Sequence, residues 1–302
     1  MAAAYFDNRF EATATFELFV RRLTENRAFL LTAGLEQALD FLEQLQFEDE
    51  EIDFLQAHPA FRHVSREFFD YLRKFRFTGE VWAIPEGTPV FELEPLLRIT
   101  APIIEAQVVE TFLLSTLTFQ TLIASKAARV VHAAKGRPVS EFGSRRAHGP
   151  QAGVLAARAA FIGGCTGTSN VEAGYYFGIP TYGTLAHSFI MSHESELQSF
   201  VNFQRVFPDN TALLLDTYDT LSAVDKIIAA GLRPCDVRLD SGDLLALSQE
   251  VRERLNAAGL SGTRIVATSD LDEYIIERLL SAGAPLDLFG VGTALSTSKG
   301  EP

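Results

Sequence analysis

PCDVRLDSGDLLALSQEVRERLNAAGLSGTRIVATSD, residues 234–270, decides the fold. It opens with a short apolar run, Asp236–Leu239, and passes through the polar, glycine-containing turn Asp240–Asp243. It continues with helical periodicity over Leu244–Ala258, breaks at Gly259, and ends in a second β-branched run, Arg264–Ala267. A strand, a long crossover helix and another strand imply two parallel neighbours, because an antiparallel pair needs only a tight turn. The same rhythm extends both ways. Upstream lie the expected strands Pro180–Gly183 and Ala212–Leu215 and the helix Thr220–Ala230; downstream lie the helix Leu271–Ala282 and the strand Leu286–Phe289. Strand–helix alternation of this kind is the signature of an α/β fold. The alternating part begins near residue 137, which leaves it short of the roughly 250 residues of a full eight-unit barrel. No GxGxxG follows its first strand, so a dinucleotide-binding sheet lacks its own mark. The expectation is an irregular or incomplete (β/α) barrel.

The first 135 residues read differently. Residues 28–57 and 66–76 show helical periodicity with acidic exposed faces, residues 80–100 switch to short apolar runs punctuated by Pro and Gly, and residues 102–134 form one long apolar helix. Two domains are therefore expected: a mixed α+β domain over 1–135 and the barrel over 136–302. The net charge of −13 argues against a nucleic-acid binder. No run of about 18 uncharged apolar residues marks a membrane span, and the opening MAAAYFDNRFEA is not a secretory leader. Two cysteines without paired spacing fit a reducing cytoplasm. The histidines form no HExxH, which disfavours a zinc hydrolase.

In parallel α/β folds chemistry collects at the C-terminal ends of the strands. The segments there are 142–146 (FGSRR), 183–188 (GTLAHS), 216–219 (DTYD), 238–243 (RLDSGD), 268–270 (TSD) and 290–293 (GVGT). Gly290 and Gly292, with the Thr293 hydroxyl, make a loop that an oxyanion can approach closely. Arg238 and Asp240 stand two residues apart and share a face; an arginine there can hold a carboxylate or phosphate, and an aspartate can hold ribose hydroxyls or stabilise a cationic sugar. Taken alone, the two can equally form an internal ion pair. Ser241 and Gly242, with Asp243, resemble a helix N-cap that offers N–H groups to an anion. His187 follows a strand among small neighbours and is suited to acid–base or nucleophilic work, accepting a phosphoryl group included. Arg145 and Arg146 are adjacent cations in an acidic chain, and on a continuing strand only one of them would face the barrel mouth. Phe142 can stack on a planar ring.

These motifs, in this order and spacing, resemble nicotinate phosphoribosyltransferases. They are Phe142-Gly143-Ser144-Arg145-Arg146-Ala147, Thr168-Ser169-Asn170-Val171, Gly183 to Ser188, Arg238 to Leu244 and Phe289 to Thr293. Phe16 to Arg22 looks like the family's early strand. The resemblance implies a barrel of the type II phosphoribosyltransferase kind with an N-terminal α+β domain. It implies that nicotinate and 5-phosphoribosyl 1-diphosphate give nicotinate mononucleotide and diphosphate, coupled to ATP hydrolysis with Mg²⁺. Such a protein is a ligase-type glycosyltransferase of NAD synthesis, a phosphoprotein, cytoplasmic and a homodimer. In the family the histidine matching His187 is phosphorylated by ATP. Thr184, Arg238 and Thr293 match positions at or beside the nicotinate site. Asp240 and the Gly290–Thr293 loop match positions near the ribose and its 5′-phosphate, and Arg145 matches a residue packed on the pyridine ring. Ser169 stands where related nicotinamide-using enzymes carry an aspartate, whose charge would repel a carboxylate.

The resemblance also departs from the family pattern. Members usually begin with a segment like Leu-Thr-Asp-Leu-Tyr-x-Leu-Thr-Met, and this chain opens at what looks like its final methionine, so the tyrosine expected to cover the pyridine ring is missing. Members also continue beyond the point where this chain ends, at Ser298 to Pro302. Two alternatives follow: a quinolinate phosphoribosyltransferase-like enzyme, which would bind a dicarboxylate without ATP, and a shortened, non-catalytic phosphoribosyl-binding protein.

Overall fold

The structure is a computed structural model that describes residues 1–23 and 27–298; Lys299 to Pro302, at the end of the chain, lie outside the described residues. It divides into two compact units, residues 1–122 and 123–302. The division falls inside the helix Ile103–Ala133, and the boundary expected at 135/136 lies just past the end of that helix.

The first unit contains an antiparallel sheet of β1 (Thr13–Phe19), β3 (Glu80–Ala83) and β5 (Pro95–Pro102), in the order β1-β5-β3. A second, two-stranded sheet pairs β2 (Leu30–Leu31) with β4 (Pro89–Val90). Helices Leu35–Gln44, Asp49–Ala57 and Arg66–Arg73 match the periodic stretches of the sequence. Glu48 and Glu51 close a reciprocal capping box at the start of the second helix. The helical reading of residues 28–57 fails at its beginning. Leu30 and Val90 are buried together as a strand pair, the Thr32 hydroxyl donates to the Pro85 carbonyl at 2.8 Å, and Gly34 at φ 101° then turns the chain into the helix. The sheet, the helix Leu35–Gln44 and the long helix share a core of Ala38, Leu42, Leu97, Ile99, Val109, Leu113 and Leu117.

The helix Ile103–Ala133 is long and apolar enough, by length and composition, to cross a membrane, although its charged residues keep it from forming an uncharged run. Its packing is that of a core helix over residues 120–130, and its earlier turns are partly exposed. Val109, Leu113, Ile123, Ala124, Ala127 and Val130 are buried. Its buried charges are paired: Glu105 accepts from the Thr78 amide at 2.7 Å, and Lys126 contacts Glu273 at 2.8 Å.

The second unit is the α/β half. Its strands are β6 (Val139–Glu141), β7 (Gly167–Thr168), β8 (Ala212–Leu214), β9 (Asp236–Leu239), β10 (Arg264–Ala267) and β11 (Leu288–Val291), all parallel in the order β7-β6-β11-β10-β9-β8. Leu213, Val237, Leu239, Ile265, Ala267, Phe289 and Val291 are buried. Helices Thr220–Ala229, Leu244–Ala257 and Glu273–Ser281 connect the strands, and each starts on an aspartate cap, Asp219, Asp243 and Asp272. Pro180–Gly183 is not a regular strand. Pro180 has no N–H to extend a ladder, and only an isolated bridge joins Thr181 to Thr168. The Leu185 amide then reaches the Ala212 carbonyl at 3.4 Å. This irregular segment links both edges of the sheet, so the six strands curl into an irregular ring, as expected of an incomplete barrel. The last strand sits two residues later than Leu286–Phe289 because its pairing with β6 sets Phe289, Gly290 and Val291 opposite Val139, Ser140 and Glu141. Gly290 is therefore part of a strand, not of the loop after it.

Candidate active site

At the C-terminal ends of these strands lies a cavity of about 870 Å³. It brings together Phe142, Arg145, Ser169, Thr184, His187, Arg238, Asp240, Gly290, Gly292 and Thr293, ten of the twelve residues singled out from sequence. Ser241 and Gly242 are not among its lining residues. Ser241 instead donates its hydroxyl to Asp216 at 2.5 Å, and Asp243 alone caps the following helix.

One side of the cavity is a chain of compensated charges. Arg238, next to last in β9, is nearly buried, donates to the Thr184 hydroxyl, and pairs through Nη2 with Asp240 Oδ1 at 3.2 Å. Asp240 Oδ1 also accepts from the Thr268 hydroxyl, and Oδ2 lies 3.5 Å from His187 Nε2. Burial alone would raise the Asp240 pKa. The Thr268 hydrogen bond, the Arg238 charge and His187 outweigh it and hold the carboxyl below its ordinary value. The His187 ring is held from its other side by Thr217, whose hydroxyl is 3.1 Å from Nδ1. Asp216 Oδ2 accepts from the Asp240 amide at 3.0 Å and fixes the turn that carries it. Arg238 Nε and Asp216 Oδ1 are buried without a hydrogen-bond partner among the described residues.

The other side is built mostly of peptide groups and hydroxyls. Phe142, half-buried, packs against Gly290, where a Cβ would meet its ring at 2.6 Å and the Thr268 methyl at 2.8 Å. Glycine at 290 is thus required by this packing, whatever an oxyanion would ask of it. Arg145 and Arg146 do not continue a strand. They form a 3₁₀ turn, Ser144–Arg146, and both line the cavity, which corrects the expectation that one would point away. Both are exposed, and among the described residues neither makes an ion pair.

Sequence reasoning gave no role to Glu141, Asp216, Thr217 or Thr268. Three of these were visible as polar residues at strand ends. Glu141 had only one signal, a carboxylate just before Phe142-Gly143 at the end of the short segment Val139-Ser140-Glu141. Neither cysteine competes as a nucleophile at the cavity; burial, then the Glu141 charge, push the Cys165 thiol far up. No cluster of three His, Cys, Asp or Glu side chains suited to a metal exists among the described residues.

The pattern of the nicotinate phosphoribosyltransferase (NAPRTase) N-terminal domain matches residues 1–118, and that of the nicotinate phosphoribosyltransferase (NAPRTase) family matches residues 138–299. Nicotinate phosphoribosyltransferase pncB2 of Mycobacterium tuberculosis is 48% identical over 308 residues, covering 100% of this chain and 66% of the relative. Nicotinate phosphoribosyltransferase of Bacillus subtilis is 41% identical over 310 residues, covering 100% and 62%. The chain thus spans about two thirds of the length of the curated relatives it matches. The crystal structure of human nicotinic acid phosphoribosyltransferase superposes with a TM-score of 0.87 at 31% identity, covering 97% of this chain and 71% of that one. An irregular parallel barrel with His187, Arg238 and Asp240 at its mouth, matched along both units to the same relatives, makes this chain a member of the nicotinate phosphoribosyltransferase family.

Proposed function

We propose that the protein joins nicotinate to 5-phosphoribosyl 1-diphosphate, releasing nicotinate mononucleotide and diphosphate, and couples this reaction to ATP hydrolysis through His187. The observation that carries the reading is the meeting of His187, Asp240, Arg238 and Thr184 with Phe142 and Arg145 around one cavity. With Nε2–H directed at Asp240, the lone pair of His187 is on Nδ1, where it accepts from the Thr217 hydroxyl until that hydroxyl turns aside for the phosphoryl group. That nitrogen attacks the γ-phosphorus of ATP; the bond to the bridging oxygen breaks and ADP leaves with the electron pair. Water later takes the phosphoryl group from the histidine. In the glycosyl step the pyridine nitrogen forms its bond to C1 of the ribose as diphosphate departs. An ionised Asp240 beside the sugar offsets the positive charge that develops there. Phe142 and Arg145 are suited to the pyridine ring, Arg238 with Thr184 to an anionic group, and Gly290, Gly292 and Thr293 to the 5′-phosphate.

Mg²⁺ fits this site as an ion held mainly by substrate phosphates and water, with Asp240 or Asp270 as the protein carboxylate. When bound it neutralises charge on the leaving diphosphate. A homodimer is supported by the exposed apolar patch Val171, Tyr175 and Tyr176 on the helix Val171–Phe177 at the cavity rim. A cytoplasmic location is supported by two free cysteines.

Turnover of nicotinate, nicotinamide and quinolinate, each with phosphoribosyl diphosphate and ATP, tests the reading by chromatography of the products. Mononucleotide from nicotinate alone is expected. Product from quinolinate with release of carbon dioxide would overturn the assignment, and ligand binding without any product would favour the non-catalytic alternative. Ser169→Asp is expected to lower kcat/KM for nicotinate by about 10-fold or more through charge repulsion; unchanged nicotinate turnover with no gain on nicotinamide would remove Ser169 from the specificity account.

A further inference from the structure

Glu141, the last residue of β6, is 1% exposed, and among the described residues no cation pairs with it. An uncompensated buried carboxylate is costly and persists only where several donors satisfy it. Here the donors come from two different strand ends. One oxygen accepts from the Gly143 amide, two residues on, and the other accepts from the Thr168 hydroxyl at 2.6 Å. The wiring then continues. Thr168 Oγ1 accepts from the Asn170 amide at 2.9 Å, and the Asn170 side chain donates to the Ser144 hydroxyl at 3.0 Å. Ser144 adjoins Gly143, so the circuit closes on itself. Phe142, Arg145 and Ser169, which face the cavity, all sit on the two loops it ties together. Glu141 is not among the lining residues.

We infer that Glu141 is a positioning residue, the shared acceptor that fixes the Phe142–Arg146 and Ser169–Asn170 loops against each other in the geometry that holds the pyridine substrate. The assignment to a pyridine substrate rests on the function proposed above; the coupling of the two loops does not. Its burial, which raises the carboxyl pKa against the pull of the Thr168 and Gly143 hydrogen bonds, is consistent with a group kept from solvent and from substrate.

The test compares Glu141→Ala, Glu141→Gln and Thr168→Val in the full chain by amide hydrogen exchange and by steady-state kinetics. Glutamine can still accept from Gly143 and can donate to Thr168 once that hydroxyl turns. Glu141→Ala is expected to speed exchange in residues 142–146 and 169–170 by about 10-fold or more, leaving strands 236–239 and 264–267 unchanged. It is expected to lower kcat/KM for nicotinate by about 100-fold, mostly through KM, since the loops hold substrate and do not react with it. Glu141→Gln should recover to within about fivefold of the parent in both readouts. If the alanine variant does not fold, Thr168→Val, which removes one arm only, should loosen residues 169–170 and spare the distant strands. Unchanged exchange in both loops, a uniform rise across the barrel, or a glutamine variant as damaged as the alanine one would overturn the inference. A parent protein that makes no mononucleotide would instead defeat the proposed reaction, and the exchange comparison would still decide the role of Glu141.

Discussion

The two sides of the cavity are made of the same ring of strands and solve opposite problems. At the ends of β8, β9 and β10, Arg238, Asp240 and His187 are linked to one another and to hydroxyls: Arg238 with Asp240, Asp240 with His187 and Thr268, His187 with Thr217. At the ends of β6, β7 and β11, the framework is peptide groups and hydroxyls tied by one buried carboxylate, and the cations Arg145 and Arg146 stand exposed without a counter-ion among the described residues. A mutually linked set holds its side chains in one geometry and is suited to reaction. An uncompensated pair of cations over a rigid frame is suited to capturing anions, because nothing has to be released before they bind.

Breaking the compensated side should have the largest effect. Arg238→Gln strands Asp240 and the Thr184 hydroxyl, and should cost about 1–3 kcal/mol of stability, read as a lower urea midpoint. Activity should fall by about 100-fold in kcat/KM. Loss of activity with an unchanged midpoint would mean that Asp240 does not depend on this partner. On the opposite side, Arg145→Ala and Arg146→Ala should each change stability by less than about 0.5 kcal/mol, because exposed unpaired cations support little. Each should raise KM for the anionic substrates by about 10-fold, an effect that shrinks as salt is added. A stability loss as large as that of Arg238→Gln would abolish the contrast between the sides.

The smallest effect is a pH dependence. The Asp240 carboxyl lies below its ordinary value of 3.8 in the folded state, so its ionised form stabilises the fold. The stability difference between the parent and Asp240→Asn should be constant above about pH 4 and diminish as pH falls through the depressed value. A difference that grows on acidification would contradict the direction of the shift.

Much of this could be read from the sequence, for identifiable reasons. Short runs holding buried apolar or β-branched residues between polar turns mark strands, so β8, β9 and β10 appear within a residue of their true limits. Polar residues just beyond such runs mark the mouth, which exposed His187, Arg238 and Asp240 without any contact information. The readings that failed concern register and pairing. Whether Gly290 lies in a strand depends on its neighbour Ser140, 150 residues away in the chain, and no local pattern carries that. Ser241 and Gly242 look like an anion cradle by composition, but the Ser241 hydroxyl is taken by Asp216 from the adjacent strand end. Leu30–Leu31 is helical by local periodicity and a strand because Val90 covers it. Glu141 was hidden for the same reason. Alone it is an acid in a short mixed segment, and its partners are Gly143, two residues on, and Thr168 on another strand.

The central claim is that His187 accepts a phosphoryl group in a site that Asp240 and Thr217 hold ready. Incubation with γ-labelled ATP, followed by peptide mapping, measures it directly. The account requires an alkali-stable, acid-labile phosphate on the peptide containing His187, abolished in His187→Ala and retained in Arg145→Ala. A folded parent protein that acquires no label, or label that persists in His187→Ala, would contradict it.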